Sequence, residues 1–287
     1  MPSFSEKFSP RGESHSGKEE EERMIEERSL PLDIEILEEK KGRGELKAAV
    51  KMARPPESEL AEQRQRLADI LERQGRPKKE IKTDEDIRKE RFRSAYYESF
   101  GMREADLKEY EDFLGISRDD LSGKKILDIG AGDNLKFEQE AKGYGAAVIA
   151  LNPALGYQEK NSSFMRQMAR MKKEPAVAGY AQELPFADEV FDEEFSLFGI
   201  PGYLPENETE YRKAFAEIIR TLKPGGEGRF SPINEEVAIQ TYFWDLLDDL
   251  KEQGHEAYVE KFWLEDKRSP SGKLEYQRLI IRKKEEK

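Results

Sequence analysis

A carboxylate and two glycines stand where a short apolar run ends, and their types and spacing are those of a ligand-binding turn. Asp128 lies inside the run Ile126–Ile129, and Gly130 and Gly132 follow it two residues apart. Glycine lets the backbone bend sharply and lets a ligand approach the main chain, because no Cβ stands in the way. The segment predicts a strand, a binding turn and a helix; a tight turn without a ligand is the alternative for the same residues.

Length and composition limit the classes of protein. The 287 residues have room for one full α/β domain and a smaller attachment, and the net charge of -12 argues against binding polyanions over the whole surface. The absence of cysteine excludes disulfides, thiolate metal sites and covalent cysteine catalysis. The first residues carry no apolar signal core, and no stretch approaches the roughly 20 apolar residues of a spanning helix. We therefore expect a cytoplasmic protein with no membrane partner.

Composition also divides the chain into three regions. Residues 1–55 are rich in Ser, Glu, Lys and Gly, so they cannot bury enough apolar surface to offset the entropy of ordering and predict a disordered charged leader. Residues 56–115 predict a helical N-terminal extension, and residues 116–287 predict the main domain. Helical spacing in the extension falls in Glu57–Arg73, Asp86–Phe100 and Glu104–Leu114.

Apolar runs alternate with helical patterns after Gly123, which predicts a parallel sheet with helices on both faces. The predicted strands are Ile126–Ile129, Ala146–Leu151, Ala176–Ala181, Phe191–Phe198 and Gly228–Ile233. Two further runs, Tyr258–Leu264 and Leu274–Ile281, are separated by Ser269–Gly272 and predict a terminal antiparallel hairpin. The fold class is therefore α/β, with seven strands and a C-terminal antiparallel hairpin.

The helix before the fifth of these strands has the clearest pattern. Its apolar residues, Tyr211 to Leu222, recur at helical spacing, and Asn207 with Glu210 three residues later is typical of a capping box. Pro224-Gly225-Gly226 predicts the stop of this helix. A further helix is predicted over Ile239–Leu250.

Four segments, in this order, resemble the class I S-adenosylmethionine (SAM)-dependent methyltransferases, in particular the broad methyltransferase-11-like group. They are Ile126–Gly132, Ala150–Pro153, Gly179–Phe186 with Phe191-Asp192, and Arg220–Gly226. The resemblance covers roughly residues 121–282. It implies a Rossmann-like, mostly parallel sheet, a methyltransferase domain at residues 116–287, SAM as cofactor and methyl transfer to an unidentified small-molecule or macromolecular acceptor.

The resemblance also implies roles for individual residues. Asp128 and the backbone at Gly130 and Gly132 would hold the methionine end of SAM, Asn152 would face the ribose, and the segment from Tyr180 would face the adenine. The loop Phe198–Tyr203 lies where the family lines its acceptor pocket. The residues assigned to the donor site are Asp128, Gly130, Gly132, Asn152, Tyr180, Ala181, Gln182 and Phe198. No catalytic residue is assigned.

Three positions depart from the family pattern, and all fall on the donor site. Asn134, Asn152 and Tyr180 stand where the family commonly has a small residue, a ribose-binding acid and an aspartate. A hydrogen bond to a charged group is worth ~1.5–3 kcal/mol against ~0.5–1.5 for a neutral one, a deficit of about one decade in affinity. The alternative hypothesis is therefore a non-catalytic methyltransferase-like module that acts by binding a partner. A nicotinamide-dependent oxidoreductase is disfavoured, because Leu135 breaks the G-x-G-x-x-G pattern.

The remaining candidates for chemistry are few. His15 falls in the leader and His255 is interpreted as a surface turn residue. No set of metal ligands is visible. The basic run Arg166–Lys173 leaves a nucleic-acid partner open without supporting one, since a solvated helix face explains the same pattern.

Overall fold

The alternating apolar runs form the central sheet of the computed structural model, which describes residues 49–73, 105–132, 135–153, 175–204, 207–265 and 272–285. These residues fall within one unit, residues 35–287. The predicted helix Asp86–Phe100, His15, Asn134 and the run Arg166–Lys173 lie outside the described residues. So does nearly all of the predicted leader.

Eight strands and six α-helices are found in the described part of the chain. The strands are β1 Val50–Met52, β2 Lys125–Ile129, β3 Ala147–Leu151, β4 Ala176–Val177, β5 Phe191–Leu197, β6 Leu222–Ser231, β7 Glu256–Glu265 and β8 Lys273–Arg282. The helices are α1 Glu57–Arg73, α2 Leu107–Leu114, α3 Lys136–Gly143, α4 Glu208–Thr221, α5 Glu235–Ala238 and α6 Thr241–Glu252. A 3-10 turn covers Arg118–Asp120.

All eight strands belong to one sheet in the order β1-β7-β8-β6-β5-β2-β3-β4. The five strands β4, β3, β2, β5 and β6 run parallel, and β8, β7 and β1 are added antiparallel. The predicted fold class, including the C-terminal hairpin, is confirmed. The sheet has one strand more than predicted, because Val50–Met52 pairs with Val259–Lys261 of β7. Those three residues lie inside the range predicted as leader.

Several boundaries differ from the sequence prediction. The third predicted strand is reduced to Ala176–Val177, and the predicted helix Ile239–Leu250 is divided into α5 and α6. Helix α4 ends at Thr221, and Pro224-Gly225-Gly226 lie inside β6 instead of after a longer helix. The pairing of β5 with β6 shifts register between Phe191 and Glu193, so the glycines fall at an irregular start of the strand.

Helices cover both faces of the sheet, as predicted. One face packs aromatic residues of α4 and α6, among them Phe215 and Phe243, against Phe191 and Phe230 of the strands. The other face packs α2 and α3 against Phe195 of β5. The predicted N-cap of α4 is confirmed, since Asn207 Oδ1 accepts a hydrogen bond from the backbone N–H of Glu210 at 3.0 Å. The loops at the ends of the strands are thereby held by a core on each side.

None of the helices in the described ranges combines the length and the apolar composition needed to cross a membrane.

Candidate ligand-binding site

The loops that follow four neighbouring parallel strands meet at one edge of the sheet. In β4, β3, β2 and β5 the chain runs in the same direction, and Ile129, Leu151 and Val177 are in register at the carboxyl ends of β2, β3 and β4. Ligands of open α/β sheets bind at this edge. The structure therefore brings the eight predicted donor-site residues to one edge.

The turn after β2 is fixed by the neighbouring strand. The N–H groups of Gly130 and Ala131 both donate to the carbonyl of Leu151, at 2.8 and 3.2 Å. Gly130 has φ of +79°, which favours glycine, whereas a Cβ built on Gly132 would meet no described atom within 4 Å. The main chain at Gly132 therefore faces open space.

Asn152 holds the same turn from the end of β3. Its side chain is 8% exposed, and Nδ2 donates to the carbonyl oxygen of Ala131 at 2.6 Å. Its backbone N–H donates to Val177 at 3.1 Å. A carboxylate at this position would have no hydrogen to donate. The amide that the sequence presented as a weakened ribose ligand is thus a brace for the glycine turn.

Asp128 lies beneath the turn and is 1% exposed. The hydroxyl of Tyr110, on α2, donates to Asp128 Oδ2 at 2.7 Å. Burial raises the pKa of Asp128 to about 6, while hydrogen bonding to Tyr110 opposes the rise. Burial and the nearby carboxyl groups raise the pKa of Tyr110 well above its usual value. The buried carboxyl group therefore keeps a proton more readily than an exposed aspartate does.

A second carboxyl group stands beside Asp128. Glu138, in the first turn of α3, is 4% exposed, and its carboxyl lies within hydrogen-bonding reach of Asp128. Sequence reasoning did not identify Tyr110 or Glu138 as part of the site. In the sequence, Tyr110 belongs to an apolar stripe, and Glu138 has no signal that sets it apart from solvated helix residues.

The loop after β5 is held against the glycine turn. Ser196 Oγ donates to the carbonyl of Ile129 at 2.6 Å and accepts from the N–H of Ile200 at 2.9 Å. A Cβ on Gly199 would lie 2.3 Å from Ser196 Oγ, so only glycine fits there. Phe198 has φ of +56°, and its ring meets Phe113 edge to face at 5.0 Å between centroids. Gly199 lies in the loop that the sequence assigned to the acceptor pocket, whereas the sequence gives no signal for Ser196.

These four loops coincide with a match to a known family. Residues 127–230 match a family model described as a methyltransferase domain. The resemblance inferred from the sequence is therefore confirmed for this part of the chain. The matched family has the class of activity that the resemblance implied.

The relatives of the methyltransferase domain include demethylmenaquinone methyltransferases. That of Renibacterium salmoninarum is 35% identical over 109 residues, which are 37% of this chain and 40% of the relative. That of Thermobifida fusca is 35% identical over 108 residues, 38% of this chain and 43% of the relative. The chain thus spans about two fifths of the length of these curated relatives.

Solved structures are also similar to this chain. A SAM-dependent methyltransferase from Methanosarcina mazei has a TM-score of 0.41 and 18% identity, covering 57% of this chain and 93% of its own. The N-methyltransferase NodS from Bradyrhizobium japonicum has a TM-score of 0.43 and 16% identity, covering 62% of this chain and 96% of its own.

The segment predicted to face the adenine contacts α4. Ala181 is buried, and Tyr180 is half-buried and forms an isolated bridge with Glu183. Gln182 Nε2 donates to Glu210 Oε2 at 3.0 Å. This bond orients the amide, so the carbonyl oxygen is the atom suited to accept from an adenine amino group.

His255 lies away from this site. It is 9% exposed, so the prediction of a surface turn residue is wrong in exposure, and its Nδ1 accepts from the N–H of Lys284 at 3.2 Å. Burial lowers its pKa. The next residue, Glu256, pairs with Arg282 of β8, which also pairs with Glu227 of β6. These residues lie beside the amino ends of the parallel strands, at the opposite edge of the sheet. In the described ranges no group of three or more His, Asp or Glu side chains is arranged to hold a metal ion.

Proposed function

We propose that this chain is a SAM-dependent methyltransferase that binds its donor at the carboxyl edge of β2, β3, β4 and β5. One observation carries the proposal: the open main chain at Gly132 follows the buried acid Asp128 in the turn after β2, within the residues that match a methyltransferase domain. SAM brings a cationic sulfonium and an amino-acid end, and an acid close to exposed backbone suits both. The residues present therefore fit the donor.

The role of the chain in this reaction is orientation. SAM supplies a methyl group that is already activated by its sulfonium, so alignment with the acceptor accounts for much of the rate. Asn152 and Ser196 hold the turn after β2 and the loop after β5 in fixed positions. The loop that continues to the exposed Tyr203 is our proposed acceptor side. We assign no general base.

The acceptor is proposed from the relatives. Both relatives named above are demethylmenaquinone methyltransferases, which supports demethylmenaquinone as the first acceptor to test. A small molecule or macromolecule of another kind is the alternative, with no membrane partner and no supported nucleic-acid partner. We also propose a cytoplasmic location, on the sequence grounds given above.

Gly132→Ala is expected to weaken binding of S-adenosylhomocysteine (SAH), the demethylated donor, about tenfold or more. A Cβ there meets no described atom, so the fold tolerates it, but it occupies space assigned to the ligand, and overpacking costs ~1–3 kcal/mol, where roughly 1.4 is one decade. Isothermal titration calorimetry measures the affinity.

Gly143→Ala is the matched control. Gly143 is also exposed, and its Cβ also meets no described atom within 4 Å, but it ends α3 away from the turn. Its affinity for SAH should equal that of the wild type. Equal affinities in all three proteins would remove Gly132 from the site. The absence of saturable binding of SAM or SAH at millimolar ligand would favour the non-catalytic module.

A further inference from the structure

We infer that Asp128 and Glu138 share one proton beneath the donor site, and that donor binding expels this proton. Glu138 is then a positioning residue that acts through Asp128, with the Tyr110 hydroxyl as the third member of the group. The inference rests on the proposed function for its ligand, but the shared proton is a property of the ligand-free protein.

Burial and proximity favour a single proton shared by the two carboxyl groups. Both are almost fully buried, at 1% and 4% exposure, and they lie within hydrogen-bonding reach of each other. Tyr110 donates to Asp128 Oδ2, and no N–H or O–H group of the described residues donates to Oδ1. Two carboxylates repel each other, whereas a carboxylic acid can donate to a carboxylate. Below the pKa of Asp128, the pair therefore holds one proton and one negative charge.

Apolar residues lie beside Asp128 and Tyr110. Asp128 has Ala150 of β3 and Phe195 of β5 as its register partners. The ring of Phe137 stacks on Tyr110 with centroids 3.7 Å apart. Water is thereby kept from both carboxyl groups on these sides, so the charge of the pair is poorly screened.

Charged residues of the packed elements are engaged with other groups. On α2, Asp106 pairs with Lys136 of α3 at 3.3 Å, and Lys108 pairs with Asp112 at 2.9 Å. Glu109 adds negative charge near Tyr110. On α3, Glu140 accepts from the N–H of Leu107 at 2.8 Å.

The charged residues of β5 are engaged in the same way. On β5, Asp192 pairs with Lys223, Glu193 with Lys124, and Glu194 with Thr221. Lys125 begins β2 and is exposed, whereas β3 carries no charged residue. A cationic ligand is therefore the natural counter-charge for the buried pair.

Ligand binding then changes the protonation of the pair. The ammonium of the amino-acid end, common to SAM and SAH, favours two ionised carboxylates over one. The O–H bond of the protonated carboxyl breaks and the proton passes to buffer, with no other bond made or broken. Affinity for SAH should therefore rise with pH through about 6, the pKa of Asp128, by up to about tenfold between pH 5 and pH 7.5.

The first test is ligand-free and uses Glu138→Gln. The glutamine amide donates to Asp128 without a shared proton, so the pKa of Asp128 falls. A raised carboxyl pKa favours the folded state at low pH and loses that benefit as pH rises through the folded pKa. Wild type should therefore gain stability relative to the variant as pH falls from 8 to 5, with the difference in melting temperature changing by about 2 °C or more.

Glu140→Gln is the matched control, because it makes the same change on the same helix and its glutamine still accepts from Leu107. The difference in melting temperature between Glu140→Gln and the wild type should change with pH only as much as the loss of a surface carboxylate would cause. If Glu138→Gln shifts stability by one constant amount at every pH, its role is structural and the shared proton is refuted.

The second test measures protons directly. Titration of SAH at pH 6 in buffers of different ionisation enthalpy should show net proton release by wild type and by Glu140→Gln, and none by Glu138→Gln. Binding without proton release by wild type overturns the coupling. Absence of SAH binding, together with the pH-dependent stability difference, overturns the proposed function and the coupling but leaves the shared proton.

Discussion

Gly199→Ala is expected to lower the free energy of unfolding by about 3–5 kcal/mol. A Cβ at this position would lie 2.3 Å from Ser196 Oγ and 3.0 Å from the carbonyl oxygen of Ile129. Overpacking a tight site costs ~1–3 kcal/mol, and displacing Ser196 leaves two buried polar partners unsatisfied at ~1–3 kcal/mol each, partly relieved by relaxation. Urea unfolding followed by circular dichroism measures the loss.

Gly202→Ala supplies the comparison for this substitution. Three residues further along the same loop, the added Cβ would meet its nearest atoms at 3.5 Å, an ordinary van der Waals contact. Its stability should lie within about 0.5 kcal/mol of the wild type. If both variants lost the same stability, the loop would respond to an added Cβ in the same way at either position. Contact with Ser196 would then not fix the position of the loop.

Asn152→Asp is expected to destabilise the protein by about 2–4 kcal/mol and to weaken SAH binding. The substitution removes the donor to the carbonyl of Ala131 and places a buried carboxylate against that oxygen. An unsatisfied buried acceptor costs ~1–3 kcal/mol, and the carboxylate adds its own desolvation. Family resemblance predicts the opposite, because an acid at this position grips the ribose. Urea unfolding and SAH titration of the same variant distinguish the two expectations.

Asn234→Asp is the matched control for charge. Asn234 is exposed and caps α5 by accepting from the N–H of Val237 at 2.9 Å, which an aspartate does equally well. Its stability should change little. Tighter SAH binding by Asn152→Asp, with stability unchanged, would show that position 152 is a ribose ligand and not a brace.

Periodicity was sufficient to predict the fold where elements are long and regular. The α4 stripe, its Asn207 cap and the terminal hairpin were all predicted from the sequence, since each depends on neighbours in the chain. Short elements were not predicted: β1 has three residues, and β4 has two, where a longer strand was expected. Such strands are defined by hydrogen bonds to a partner, a tertiary property with no local pattern.

The same distinction applies to the site. Asp128, Gly130 and Gly132 were identified because they stand together in the chain. Tyr110 reaches Asp128 across 18 residues and Ser196 reaches Ile129 across 67, so their contacts carry no local signal. In the sequence, Asn152 stands out because it lacks the negative charge expected at its position. Its role as a hydrogen-bond donor depends on Ala131, which lies beside it only in the folded chain.

The most direct test of the donor site is a crystal structure of the full chain grown with SAH. We expect SAH at the carboxyl edge of the sheet, with its amino-acid end beside Gly130 and Gly132 above Asp128, its ribose toward the end of β3 and its adenine beside Ala181 and Gln182. SAH bound at the opposite edge, near His255, or an edge left without SAH at saturating ligand, would contradict it.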